Sequence, residues 1–370
     1  MKDKIYITNL WHSRNNYGAN LTAFALQSII EKLGYKSELV NNTTKMREYK
    51  WRKSTFSFKF AKKYLKHTSF MKGCLDILNI YGNVFITGSD QVFRPKYTHE
   101  KLDHYLLDFV NVDNKKIAFS ASFGVDKEQF INENSDDIIK HMAKSLKSFD
   151  FLSVREKSGV EICKDLFDVD AQWIIDPVFV LDKTVYDKLI QNSTENYNNS
   201  IVSYVLDTTD DYKKAFKYLS KKYNIDVINT ANSNISIENW LASIKNCRLF
   251  ITDSFHGMCF AIIFNKPFIC ISNRKRGGAR FDSICEMLGI ENQCIDSIEQ
   301  IYDNDCVCKI DYESVNKRIQ EEAQKGIEFL SNALNAPVKI TQEKIDAKIA
   351  QIKQQIRTAD SDFDKEKLQQ

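Results

Sequence analysis

His256 has the chemical setting that asks first for an explanation. It follows Thr252-Asp253-Ser254-Phe255 and precedes Gly257, where the strand-like run 247–254 passes into an apolar helical stretch. An imidazole titrates near ~6.5, so at neutral pH it can serve as a general acid or base. Gly257 lets a ligand approach the backbone, and Ser254 opens a helix whose N-terminus favours an anion. The same residues suit a histidine that caps the helix or bonds Asp253.

Arg155 ends the apolar run "FLSV" and precedes Glu156. A guanidinium there can grip a carboxylate or phosphate through two parallel hydrogen bonds, or simply pair with Glu156 at the surface. Lys266, before Pro267, adds a candidate point charge. Asn16, Tyr17 and Gly18 lie in "HSRNNYGAN", which links a strand to a helix but lacks both the three-glycine dinucleotide fingerprint and the Gly-Lys-Ser/Thr of a phosphate loop. Arg280 closes "NRKRGGAR", a basic turn with two glycines that suits an anion or is an exposed turn. Ser89 and Asp90, in "TGSDQVF", can orient a hydroxyl or cap a helix. Asp90, Asp176 and Asp253 are scattered and have no His-x-x-x-His or Cys/His pairing beside them, so no metal site is expected. Glu291 and Glu299 have the E-x7-E spacing of some glycosyltransferases, a spacing that chance also produces.

Most of these residues fall at the ends of β-rich runs. Strands are expected at 4–10, 83–90, 116–124, 151–156 and 172–181, then at 200–207, 225–231, 247–254 and 267–272, with helical periodicity between them. In 19–34, Leu21, Phe24, Ala25, Ile29 and Leu33 share a helical face that Gly34 ends. Such alternation predicts an α/β fold with parallel sheets. The polar segment 191–200 divides the two series, giving an N-terminal α/β domain over 1–190, a C-terminal α/β domain over 200–310 and a helical tail over 311–370. Open α/β sheets bind ligands at their carboxyl edges, so two facing domains would form a cleft lined by these residues.

Composition narrows the function. The 370 residues suffice for two cores, and the formal charge of +3 left by 52 basic and 49 acidic side chains argues against a nucleic-acid binder. Nine cysteines without a C-x-x-C pair lie mostly in apolar runs, the pattern of buried thiols in a reducing compartment. The start has no signal-peptide pattern, and the apolar run 255–264 is about half the ~20 residues of a membrane helix, so neither secretion by that route nor a membrane span is expected. Residues 45–72 carry ten Lys/Arg against one Glu, interleaved with aromatics. They suit a membrane surface or a partly lipidic anionic acceptor, or form a solvated amphipathic helix. Ile345, Ile349, Ile352 and Ile356 keep helical spacing, enough for a docking helix or a short oligomer contact.

Taken together, "NYGANLTAFALQ", "FITGSDQVF", "YLLDFV", "KKIAFSASFG", "LSVREKSG", "IIDPVFVL" and "ITDSFHGMCFAIIFNKPFI" resemble the polysaccharide pyruvyltransferase family in order and number, over the chain up to about residue 290. The chain departs from the family pattern at Thr22, where glutamine is usual, and at Phe93-Arg94, where a Trp-Asn pair is usual. The resemblance implies two Rossmann-like domains facing across a cleft, a glycosyltransferase B-like architecture. It also implies transfer of the enolpyruvyl group of phosphoenolpyruvate to two hydroxyls of a sugar or lipid-linked oligosaccharide as a cyclic ketal, with no cofactor or metal. His256 would then be the general acid and Arg155 the donor's anchor, aided by Lys266. Asp90 and Ser89 would orient the acceptor. The expected setting is cytoplasmic assembly of a surface polysaccharide such as capsule or exopolysaccharide, with peripheral contact at the inner membrane face through 45–72. A nucleotide-sugar glycosyltransferase of the same architecture, or a non-catalytic glycan or membrane-surface module, would use the same cleft differently.

Overall fold

Parallel strands buried on both faces account for the alternation in the sequence. The structure, a computed structural model, describes residues 4–11, 16–41, 55–69, 75, 78–191, 193–231, 234–272, 274–291, 293–302, 307, 309–350 and 352–353. Strands β1 (Lys4–Thr8), β2 (Lys36–Leu39), β3 (Val84–Thr87), β4 (Lys115–Ala121), β5 (Phe151–Val154) and β6 (Gln172–Trp173) form one sheet in the order β2-β1-β3-β4-β5-β6. Strands β7 (Ile201–Tyr204), β8 (Val227–Asn229), β9 (Leu249–Thr252), β10 (Phe268–Ile271) and β11 (Cys294–Ile295) form a second in the order β11-β10-β9-β7-β8. Neighbouring strands run parallel in both sheets. The short β2 and β11 lack the apolar run that marks the central strands. The apolar stretch 172–181 is a strand only over Gln172–Trp173, a correction with a local cause. Asp176 accepts the Val178 N–H and Pro177 sits in the first turn, so Pro177–Val180 turns helical.

The helices that shape the interior are α1 (Tyr17–Lys32), α2 (Phe56–Tyr64), α3 (Pro95–Thr98), α4 (Lys157–Phe167), α5 (Pro177–Val180), α6 (Lys183–Ile190), α7 (Ile237–Asn246), α8 (Phe255–Ile263), α9 (Ala279–Leu288) and α10 (Tyr312–Asn335). Every residue of α8 is buried, so this helix is apolar all round and lies inside the protein. One apolar core runs from Ile5 and Leu21 in the first half to Trp240 and Phe260 in the second. Helix α6 precedes the polar segment 191–200 yet already packs on the second half: Lys245 meets Asp187 at 2.8 Å, and the Asn239 side chain accepts the Thr194 N–H.

Tyr17 locks the halves together. Its ring stacks on Phe56 of α2 at 4.2 Å and on Trp240 of α7 at 4.8 Å, and its hydroxyl donates to the Ile235 carbonyl. In the described part of the basic aromatic segment, Phe56 and Phe60 point inward while Lys59, Lys62 and Lys63 are exposed. The amphipathic-helix reading therefore holds over 56–64, and the remaining part, 45–54 and 70–72, lies outside the described residues. Among those residues no helix is long and apolar enough to cross a membrane. The described cysteines Cys163, Cys247, Cys259, Cys270, Cys285 and Cys294 are free thiols, and all but Cys294 are buried. Cys74, Cys306 and Cys308 lie outside the described residues.

Helix α10 straps both halves. Near its start the Tyr312 hydroxyl donates to the Lys266 carbonyl, and near its end Phe329 meets Phe119 while Lys115 Nζ donates to the Leu334 carbonyl. The chain beyond it docks on the first half through a bidentate, buried pair, Lys344 Nζ to both carboxylate oxygens of Asp150 at 2.8 Å. Ile345, Ile349 and Ile352 stay exposed. Removing one partner of a buried pair leaves an uncompensated charge worth about 3–5 kcal/mol. Lys344→Ala should therefore release residues 339–350 to protease while the sheets stay protected. Unchanged protection in limited proteolysis would show that the pair does not hold this segment.

Candidate active site

Both sheets place their switch points at the same cleft. The chain leaves β1 for β2 on one side and returns to β3 on the other, and leaves β7 for β8 before returning to β9, so a crevice opens beyond β1/β3 and beyond β7/β9. A cavity of about 310 Å³ occupies the space between them. It is lined from the first half by Leu10, Asn16, Asp90, Gln91 and Tyr97, and from the second by Leu206, Asp253 to His256, Arg276 and Arg280.

At the base of the cleft, buried charges are paired around Asp176. Arg155 Nη1 donates to Asp176 Oδ2 at 2.8 Å, Ser89 Oγ donates to the same oxygen at 2.8 Å, and His256 Nε2 lies 3.7 Å from it. Burial works to raise the Asp176 carboxyl, but His256 and Arg155 overcome it and hold the group well below the usual carboxylate range. Asp176 is therefore an anion throughout the neutral range. The stability this contributes is present above the ordinary carboxylate pKa and is lost only as pH falls well below it.

His256 is held from two sides. Its Nε2 lies 3.0 Å from Thr22 Oγ1, and its ring rests on Gly18, where an added Cβ would stand 2.1 Å from Nδ1. Gly18 and Thr22 are four apart on α1 and so share a face. Nε2 thus faces Asp176 and Thr22 together, while the Nδ1 side of the ring lies over Gly18. Asp253 does not orient the imidazole: its carboxylate accepts the Leu206 and Asp207 N–H groups at 2.7 and 3.3 Å.

Two arginines flank the ring of Phe255, Arg155 at 4.6 Å and Arg280 at 5.3 Å from its centroid. Arg155 is buried rather than a surface partner of Glu156, and its Nε and Nη2 have no hydrogen-bond partner. Burial opposes its charge, yet Asp176, Asp90 and Glu156 hold the guanidinium above its usual value. Burial and the neighbouring Arg155 bring Arg280 down to about 10, still a cation at neutral pH. Two of its nitrogens are fixed by the Gly277 and Arg276 carbonyls. Nε and Nη2 of Arg155 stand 3.8 Å from a Glu156 oxygen and 3.6 Å from an Asp90 oxygen, so Arg155 is ion-paired on three sides while two of its donors stay without a hydrogen bond.

Asp90 adopts a φ of +113°, a strained conformation for a residue with a side chain. Such strain collects at functional sites, and here it accompanies a carboxylate on the cavity wall, 3.6 Å from Arg155 Nη2. Asn16 and Ser254 cap α1 and α8 and line the cavity. Ser89 lies beneath it, bonded to Asp176. Two expected binding residues stand elsewhere. Tyr17 is sealed in its aromatic stack, and Lys266 lies beyond the far end of α8, more than about 10 Å of helix from His256. Strand-to-helix reversal puts residues after a helix at the amino edge of the sheet, which explains the position of Lys266. Glu291 and Glu299 are exposed and absent from the cavity wall. Residues 12–15 and Asn273, parts of the two turns read as anion sites, lie outside the described residues. Among those residues, the side chains with metal-ligand spacing, Asp103, Asp108 and His141, are exposed and away from the cleft.

Asp176 and Thr22 are the residues the sequence reading missed as partners of His256. The Asp-Pro start of α5 and the departure of Thr22 from the family pattern were the available signals.

Two parallel-sheet domains joined at their switch points, with charged groups in the shared cleft, form a glycosyltransferase B-like architecture, and the family match makes the chain a transferase. The chain belongs to the polysaccharide pyruvyl transferase family, whose model matches residues 16–275. No curated protein matches it. Among solved structures it is similar to UDP-GlcNAc 2-epimerase from Neisseria meningitidis bound to UDP-GlcNAc, with TM-score 0.51, 9% identity and coverage of 95% of this chain and 100% of the other. A putative UDP-N-acetylglucosamine 2-epimerase from Listeria monocytogenes gives TM-score 0.51 and 10% identity over 97% and 98% of the two chains. The enzyme from Rickettsia bellii gives 0.51 and 11% over 90% and 98%. At these identities the likeness establishes the fold.

Proposed function

We propose that the protein transfers the enolpyruvyl group of phosphoenolpyruvate to two hydroxyls of one sugar, forming a cyclic ketal and releasing phosphate. The arrangement that carries this reading is a cavity walled by Arg280 and His256, with buried Arg155 on the other side of Phe255 keeping two donors without a hydrogen bond. The arginines bind the donor's phosphate and carboxylate. His256 protonates the methylene carbon, leaving an oxocarbenium at C2. One sugar oxygen adds, phosphate departs, and the second oxygen closes the ring. Of the two hydroxyl protons, one replaces that given to the new methyl group and the other leaves with phosphate. Asp90 orients the acceptor hydroxyls or takes the second proton. The reaction so written calls on no cofactor. A cytoplasmic site of action near the inner membrane face, with a lipid-linked or polymer-bound acceptor, belongs to the same reading, and the exposed lysines of α2 support it.

The test is a thermal-shift titration with phosphoenolpyruvate and, in parallel, UDP-GlcNAc and GDP-mannose. At 100 times its dissociation constant a ligand stabilises by about 2.7 kcal/mol. Phosphoenolpyruvate should shift the wild type. Arg155→Lys, which keeps the charge opposite Asp176 but loses the fork, should lose most of that shift. Arg155→Ala is a poor probe because it strands buried Asp176. A shift with a nucleotide sugar and none with phosphoenolpyruvate would replace the reading with a glycosyltransferase.

A further inference from the structure

The cavity is graded from charge at its base to apolar surface at its mouth. Large apolar side chains are mostly buried in this protein, but Tyr97 and Leu206 are 39% and 40% exposed, and both line this cavity, one from each half. Tyr97 stands on α3, directly after β3 and its strained Asp90. Its ring is braced by Arg94, whose guanidinium lies 4.9 Å from the ring centroid. Arg94 is itself fully buried and fixed by Glu133 through Nε and Nη2 at 2.9 and 2.7 Å and by Gln91 through Nη1 at 3.0 Å. A long, costly polar network therefore holds one exposed aromatic ring at a set place on the wall.

A pyranose has the matching chemistry: an apolar face of C–H groups, and hydroxyls around its rim. An aromatic wall with a few convergent polar groups is the usual form of a site for such a ligand. We propose that Tyr97, with Leu206 opposite, is the acceptor subsite, where the sugar ring packs on the tyrosine and its hydroxyls reach Asp90. This rests on the pyruvyl-transfer reading and names the residue that selects its acceptor. Arg94 and Glu133 act through Tyr97 as positioning residues.

The test uses saturation-transfer NMR with methyl glucoside, methyl galactoside, methyl mannoside and, separately, uridine, on wild type, Tyr97→Ala and Tyr97→Phe, with the phosphoenolpyruvate melting shift recorded for each. Saturation should reach the ring protons of at least one glycoside. Tyr97→Ala should weaken that binding about tenfold, Tyr97→Phe should stay near wild type, and the donor shift should be the same in all three. Glycoside binding unaffected by Tyr97→Ala, no glycoside bound at all, or uridine as the ligand that Tyr97→Ala loses would each overturn the proposal. Loss of the donor shift in Tyr97→Ala would also overturn it, since the ring would then support the donor site. Failure of the parent reading shows separately, as a wild type that phosphoenolpyruvate does not shift.

Discussion

His256→Ala should fold, bind phosphoenolpyruvate as the wild type does, and lose about 100-fold or more in turnover, the contribution of a positioned general acid. Folding survives because the pair at the base of the cleft remains: Asp176 keeps Arg155 and Ser89 when the imidazole is gone. On the proposed reading donor binding survives, because the arginines assigned to the donor are fixed by Phe255, Asp176 and the Gly277 and Arg276 carbonyls, and not by His256. The effect should therefore fall on kcat and spare the donor's KM. Phosphate release with an acceptor glycan, measured beside the melting shift with donor, separates the two. Turnover within a few fold of wild type would remove His256 from the role of acid. A lost donor shift would recast it as an anchor.

Gly18→Ala should be nearly as damaging, although the residue has no side chain and need not touch substrate. The added carbon would stand 2.1 Å from His256 Nδ1 and 2.4 Å from Cγ, far inside contact distance, so the ring must swing away. Thr22 and Asp176 hold Nε2, so the ring cannot move without giving up those partners. Misplacing a catalytic group by about 1 Å can cost on the order of 100-fold. Because the damage acts through the imidazole, Gly18→Ala should cost little more once His256 is already alanine. A double-mutant cycle reads this directly. Additive losses would mean that Gly18 acts through the backbone of α1 or through a ligand instead.

Much of the scaffold was legible because its signals are local. The central strands are short apolar runs, α1 carries its apolar residues at helical spacing although the structure buries it on nearly every side, and Gly34 follows it with a φ of +86°. Alternating strands and helices imply parallel sheets, and parallel sheets put His256, Arg155, Asp90 and Asn16 at carboxyl edges. The error at 172–181 arose because "VFVL" reads equally well as strand, while its helical turn is set by the Asp-Pro pair and by burial between α1 and α10.

The sequence by itself determined which residues could do chemistry and that strand ends would carry them. Only the tertiary structure decided which of them meet. Strand order brings β1 beside β3 and β7 beside β9, and so sets Thr22, Asp176 and His256 together across 234 residues of chain, while Tyr17 turns into the seam between the halves and Lys266 falls at the opposite edge. Periodicity reports the direction of a side chain relative to its own element. The packing of one element on another, which pairs a histidine with its carboxylate, depends on the whole core.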